Sequence, residues 1–230
     1  MYVICRLVAD FLPRFSPVLA PALAPWAYTP IDLSQTAPEL AAVDLSVPEE
    51  LAAYIHNYCH RHKALIAYGG YLEPRNLYKR SPHFNQHNPD TERNIHLGVD
   101  FWAAAGTPVV APLAGVVHSF QDNQGLGDYG PTILLEHQLD NLHFYTLYGH
   151  LSRTSLLGIA EGQCVAAGQA IAELGTAEVN GVYAPHLHFQ LIRDLQGLHG
   201  DYPGVCSARE LDFYAVNCPD PKLLLGLGLV

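Results

Sequence analysis

The chain is poor in charge, in lysine and in paired cysteines. Of its 230 residues only 15% are Asp, Glu, Lys or Arg, and acids outnumber bases 22 to 12, for a formal net charge of −10. Nucleic acid and anionic membrane surfaces are bound through a basic footprint, which this composition lacks, so neither is expected as a partner. The five cysteines (Cys5, Cys59, Cys164, Cys206 and Cys218) are scattered and include no CxxC pair. A cysteine zinc site and a disulfide framework are therefore both unsupported, and buried free thiols are expected. Long apolar runs are missing as well. Residues 1–31 are apolar overall, but Arg6, Asp10 and Arg14 interrupt them and prolines recur at 13, 17, 21, 25 and 30. A membrane helix needs about 20 predominantly apolar residues, and prolines would break one. As a signal peptide the segment has a poor n-region, and Pro25 follows the cleavage-like Ala22-Leu23-Ala24. The expectation is a proline-rich arm over residues 1–45 and no transmembrane segment. A cytoplasmic location is favoured, with a periplasmic or secreted one left open.

What is present is apolar substance and frequent punctuation. Apolar residues make up 49%, with 19 glycines and 17 prolines, as expected of many short elements joined by tight turns. Ser46-Val47-Pro48-Glu49 has the form of a capping box, with Ser46 as N-cap and Glu49 reaching back. Leu51, Tyr54, Ile55 and Tyr58 follow at helical spacing, so a helix is expected to about Lys63, ending before Gly69-Gly70. A polar loop closes this second segment, residues 46–93. Beyond it, short β-rich runs at 107–110, 115–120, 132–136, 143–148, 169–174 and 187–192 are separated by Gly, Pro, Asn or Asp. Strands this short, with no helical stretches between them, predict a mainly β fold. An antiparallel sheet or sandwich would line an open groove, with an N-terminal helical extension outside. The β-rich domain is expected over 94–200, and 201–230 as a loop-like tail in which Leu223-Leu224-Leu225 docks on the domain.

Three separated motifs carry the chemistry. His96-Leu97-Gly98-Val99-Asp100 places a histidine and a carboxylate four residues apart. In a straight strand they would share a face but lie about 13 Å apart, too far for one metal ion. A bend or bulge at Gly98 would draw them together. His186-Leu187-His188 puts two imidazoles on one face of an expected strand. Tyr148-Gly149-His150-Leu151 puts a third histidine where a strand gives way to a loop, a usual place for site residues. Neutral imidazole and carboxylate are the ligands that Zn²⁺ takes at catalytic sites, where three protein groups leave a fourth position open. Taken singly, each histidine would more often be a solvated or structural one. A second histidine cluster, His56, Cys59, His60 and His62, lies on the expected helix, but no HExxH glutamate accompanies it. A solvated helix face is the better reading there.

Residues 94–193 resemble the M23 family of zinc metallopeptidases, the lysostaphin/LytM-type peptidoglycan endopeptidases. The likeness rests on His96-Leu97-Gly98-Val99-Asp100, Tyr148-Gly149-His150-Leu151 and His186-Leu187-His188-Phe189 in that order. Gly106-Thr107-Pro108-Val109-Val110, Gly115-Val116-Val117 and the turn at 165–169 support it. The resemblance implies a fold of the duplicated hybrid-motif type and Zn²⁺ as cofactor. His96, Asp100 and His188 would be the metal ligands, with His150 and His186 as catalytic residues flanking the attacking water. It also implies a zinc-dependent metalloendopeptidase acting on peptide or peptidoglycan substrates. A non-hydrolytic peptide- or glycan-binding domain on the same scaffold is the alternative.

Gln190 departs from the pattern, standing where many relatives carry an acid, and 176–184 carries Glu178 and Tyr183 where relatives are Ser/Gly-rich. In the polar loop, His83, Asn85 or His87 could cap the metal of a latent form. The segments at 111–117 and 165–169 also resemble biotinyl or lipoyl carrier hairpins. Such a carrier needs a modifiable lysine at a hairpin tip. Lys63, Lys79 and Lys222 are the only lysines and none lies in the β region, so a carrier is not expected.

Overall fold

The run from Gly115 to Gly149 is rich in β-branched and aromatic residues, which suit a pleated, packed surface, and it forms the three longest strands of a computed structural model of the chain. These are β6 (Gly115–Asn123), β7 (Gly130–Leu139) and β8 (Leu142–Gly149). Leu139 pairs with Leu142 across a two-residue turn whose Asp140 has φ 52°, a left-handed conformation that Asp tolerates. The structure describes residues 17–21, 23–81, 84, 88 and 91–225. The readings on Cys5 and on His83, Asn85 and His87 lie outside the described residues, as does the first half of the residue 1–31 segment.

The other strands are β1 (Tyr28–Pro30), β2 (Ile66–Gly69), β3 (Arg93–His96), β4 (Val99–Trp102), β5 (Pro108–Val110), β9 (Cys164–Val165), β10 (Ala170–Glu173), β11 (His186–Ile192) and β12 (Val205–Ser207). Eight of them form one sheet in the order β1-β2-β4-β11-β8-β7-β6-β9. All its pairs are antiparallel except β1–β2 at one edge. Two small antiparallel sheets, β5 with β10 and β3 with β12, pack beside it.

The large sheet is covered on both faces. Ile133, Leu135, Tyr148, Leu187 and Phe189 belong to one core cluster, while Leu134, Leu147 and Ile192 belong to another with Ile95, Tyr202 and Cys206. Each of β7, β8 and β11 thus sends alternate side chains into different cores, as the two-residue period of a strand requires. A third cluster lies under helix α1 (Pro48–His62), whose Leu51, Ile55 and Cys59 fall at helical spacing and pack with Ile31, Ala67 and Trp102.

Three expectations need correction. The capping box at Ser46 does not form: α1 starts at Pro48 with Val47 as N-cap and no side-chain cap. The Asp44 carboxylate accepts from both the backbone N–H and the hydroxyl of Ser46, and Glu50 accepts from the Asp44 N–H. The tail after Gly200 is not loop-like, since it supplies β12, helix α2 (Leu211–Asn217) and the short helix α3 (Lys222–Leu225). A true capping box stands there, with Ser207 and Glu210 bonding reciprocally. Leu224 is buried in the main core, which docks the tail. The arm is not wholly irregular either, because its Tyr28–Pro30 segment extends the large sheet through β2.

Candidate metal centre

A local change of chain direction brings His96 and Asp100 together. The motif does not form one bent strand; it is divided between two sheets, with His96 ending β3 and Asp100 inside β4. A bend at Gly98, as the sequence led one to expect, brings His96 Nε2 within 3.1 Å of Asp100 Oδ1. Gly98 is required for a second reason. A Cβ there would lie 2.7 Å from His188 Cε1 and Nε2 and 2.8 Å from the Phe189 carbonyl oxygen. His188 comes from the neighbouring strand, since β11 pairs with β4 in a register that sets His188 opposite Asp100 and His186 opposite Trp102. On the other side β8 sets Gly149 opposite His188, so His150 follows at the same end of the sheet.

The result is a cluster of three ligand-type atoms. One atom each from His96, Asp100 and His188 lie within 4.8 Å of one another, the only such group among the described residues. His188 Nδ1 is 2.8 Å from His96 Nε2 and 3.3 Å from Asp100 Oδ1. All three residues are buried. The fit to a metal ion is chemical. Asp100 Oδ1 is buried with no hydrogen-bond partner, whereas an isolated buried carboxylate oxygen is costly without compensation. The other atom of each ligand is engaged: His96 Nδ1 donates to the Gly70 carbonyl (2.9 Å), Asp100 Oδ2 accepts from Arg75 Nη1 (2.6 Å), and His188 Nε2 donates to Gln190 Oε1 (2.8 Å). Such outer contacts fix the tautomer and aim the ligand atoms at a common point. Imidazole and carboxylate together suit Zn²⁺.

His150 and His186 lie beside this cluster, their rings 4.1 Å apart centroid to centroid. His150 adopts φ 64° just after β8, and its Nδ1 donates to the Asn180 carbonyl at 2.9 Å. His186 Nδ1 donates to the Ala184 carbonyl at 2.7 Å. In both rings this tautomer, assigned from the bonding partners, leaves Nε2 as an acceptor, and His186 Nε2 lies 3.9 Å from Asp100 Oδ1. Burial pushes the His150 imidazole well below its ordinary value, helped by the neighbouring His186 and His188, and burial lowers His186 too. Burial takes His96 down to about 4 against the opposing pull of Asp100. For Asp100, burial would raise the carboxyl, but His96, Arg75 and His186 outweigh it and hold it well below the usual carboxylate range. The face of β11 that carries the histidines is therefore not solvated.

The five residues singled out in the sequence thus meet at one place, in a cavity of about 320 Å³ walled by Tyr78, Trp102, Tyr129, Tyr183 and Tyr202. The second cluster does not assemble: His56, His60 and His62 are exposed while Cys59 is buried under α1. Arg75, Gly70 and Tyr129 went unread in the sequence. Tyr129 places its hydroxyl 3.3 Å from His188 Nε2. No short motif marks any of the three.

Three convergent ligand atoms, with two further imidazoles beside them in a buried cleft, could hold one metal ion. Residues 94–199, a little under half of the chain, match the model of Peptidase family M23, and this stretch is similar to the peptidases of that family. Among relatives, an uncharacterized metalloprotease of Haemophilus influenzae is 35% identical over 46% of this chain and 20% of its own length. The peptidoglycan DD-endopeptidase ShyC of Vibrio cholerae is 32% identical over 55% of this chain and 27% of its own. The lysostaphin catalytic domain from Staphylococcus simulans, a solved structure, is 28% identical with a TM-score of 0.37, covering 53% of this chain and 80% of that one. The chain spans between a fifth and a third of the length of the curated relatives it matches.

Proposed function

We propose that this chain is a zinc-dependent endopeptidase that hydrolyses peptide bonds of the peptidoglycan type. The observation that carries the reading is the buried, partnerless Asp100 Oδ1 facing the ligand nitrogens of His96 and His188, beside two imidazoles with free Nε2 atoms. His96, Asp100 and His188 would hold Zn²⁺, which would supply Lewis acidity toward a water and a carbonyl. The rest is work for this chain's own side chains. Neutral His150 and His186 present Nε2 lone pairs, so either takes the proton of the attacking water. The imidazolium so formed then donates to the developing oxyanion or to the leaving amine. The aromatic walls exclude bulk water, which strengthens these interactions.

Relatives such as the DD-endopeptidase support peptidoglycan as the substrate. That polymer lies outside the cytoplasmic membrane, so we place the chain in the cell envelope; the cytoplasmic location favoured by the sequence finds no support among the relatives. Among the described residues no helix is long and apolar enough to cross a membrane. The test is turnover of purified wall peptides by zinc-loaded wild type, His150→Ala and His186→Ala. The reading expects wild type to cleave and each variant to lose about 10²–10⁴-fold in kcat, the usual worth of a positioned acid–base group. Unchanged turnover in both variants would overturn the roles of His150 and His186. A zinc-loaded wild type that binds wall peptides without cleaving any would favour the binding domain.

A further inference from the structure

We infer that the segment Gly70–Arg75, which lies outside the M23-matching stretch, is a built part of the metal centre, and that Arg75 is the positioning residue that fixes how Asp100 presents itself to the ion. The inference rests on the zinc-site reading above.

The backbone of the segment is tied to the ligand strand. Leu72 N–H donates to the His96 carbonyl (2.9 Å), His96 N–H to the Glu73 carbonyl (3.1 Å) and Arg75 N–H to the Asn94 carbonyl (2.8 Å). Pro74 forms an isolated antiparallel bridge to Ile95. Along this short ladder two orienting contacts reach the ligands from one side: the Gly70 carbonyl receives His96 Nδ1–H, and Arg75 Nη1 donates to Asp100 Oδ2. Gly70 must lack a Cβ here. With φ 105°, one would lie 1.9 Å from Arg75 Nη2 and 2.8 Å from His96 Nδ1.

Arg75 is among the largest fully buried side chains of the protein. Its Nε donates to Glu73 Oε2 at 2.5 Å, its guanidinium lies 5.7 Å from the Trp102 ring centroid, and Glu73 Oε1 in turn accepts from the Leu33 N–H. The guanidinium is thus held by Glu73 and Trp102, not by solvent, before it meets Asp100. A planar cation on Oδ2 satisfies that oxygen with a charge-assisted bond and leaves Oδ1 as the single free atom of the carboxylate. It therefore sets a one-oxygen mode for Asp100 and keeps Oδ2 away from the ion. Arg75 is not a family-motif residue in the match, which begins at residue 94. The extension is chemically continuous with the site it covers.

The test measures zinc affinity of the full chain by competition with a chromophoric chelator, together with the visible spectrum of the Co²⁺-substituted protein. Wild type, Arg75→Gln and Arg75→Lys are compared, with circular dichroism as the check on folding. Arg75→Gln is expected to weaken zinc binding about 10–100-fold, the usual cost of removing an outer-shell partner. Its Co²⁺ bands should weaken as Oδ2 joins the ion and the coordination number rises. Arg75→Lys, which keeps the cation but not the fork, is expected to lose less affinity and to keep the wild-type spectrum. If Arg75→Gln does not fold, the lysine variant decides: a measurable loss of affinity supports the inference and wild-type affinity overturns it. Equal affinity and identical Co²⁺ spectra in all three folded proteins also overturn it. Wild type that binds no zinc at all would instead sink the proposed function.

Discussion

Gln190→Glu puts an acid where the structure buries an amide and is predicted to destabilise this protein. Gln190 is fully buried between β4 and β8. Its Oε1 accepts from His188 Nε2, while its Nε2 donates to the Pro203 carbonyl at 3.1 Å and to Cys218 Sγ at 3.3 Å. The Pro203 carbonyl can only accept, so the pocket is built for an amide. A glutamate keeps the contact to His188 but sets its second oxygen against that carbonyl oxygen. Leaving buried polar atoms unmatched costs about 1–3 kcal/mol. In a chain of this size each kcal/mol corresponds to about 2–4 °C, so the metal-free melting temperature should fall by roughly 2–12 °C. The sign with pH follows from burial, which raises the new carboxyl above its unfolded value. The folded variant then holds a proton that the unfolded chain releases, so its deficit relative to wild type grows as pH rises from 5 to 8. With zinc bound, the charged acceptor strengthens His188 as a ligand and part of the deficit is recovered. The assay is thermal unfolding of both proteins, with chelator and with zinc, across that pH range. A glutamate variant as stable as wild type in chelator at pH 7 would refute the reasoning.

Two further outcomes are expected. Gly98→Ala pushes a methyl group against His188 and the Phe189 carbonyl, at a cost of about 1–3 kcal/mol; its zinc affinity and its urea midpoint should both fall, and wild-type values would contradict the packing described. Metal-free protein should also lose stability as pH falls from about 6.5, the unfolded histidine value. Burial holds His96 near 4 and lowers His137, His150 and His186, so the folded state binds fewer protons than the unfolded chain in that window. His96, held near 4, contributes about 1 kcal/mol by pH 5.5, and a urea midpoint unchanged between pH 7.5 and 5.5 would contradict it.

The sheet was legible because its signals are local. All six runs marked between residues 107 and 192 became strands, each within a few residues of the observed ends. The histidines and Asp100 were legible because the motif that carries them is short and ordered. What escaped is what depends on distant partners. Arg75 precedes Asp100 by 25 positions and reads in the sequence as an ordinary loop arginine. The amide of Gln190 is explained only by Pro203 and Cys218, which come from the tail. The two Ser-x-x-Glu patterns show why local signals fail: at Ser207 the box forms, while at Ser46 the neighbouring Asp44 captures the serine first. That competition between a turn and a cap is decided by one residue upstream of the pattern.

The central claim is that His96, Asp100 and His188 hold one zinc ion while His150 stands beside it. Zinc content per chain, measured by elemental analysis on wild type, His188→Ala and His150→Ala, tests it most directly. The account predicts one zinc in wild type, essentially none in His188→Ala and one in His150→Ala. A zinc-free wild type, or equal zinc in wild type and His188→Ala, would contradict it.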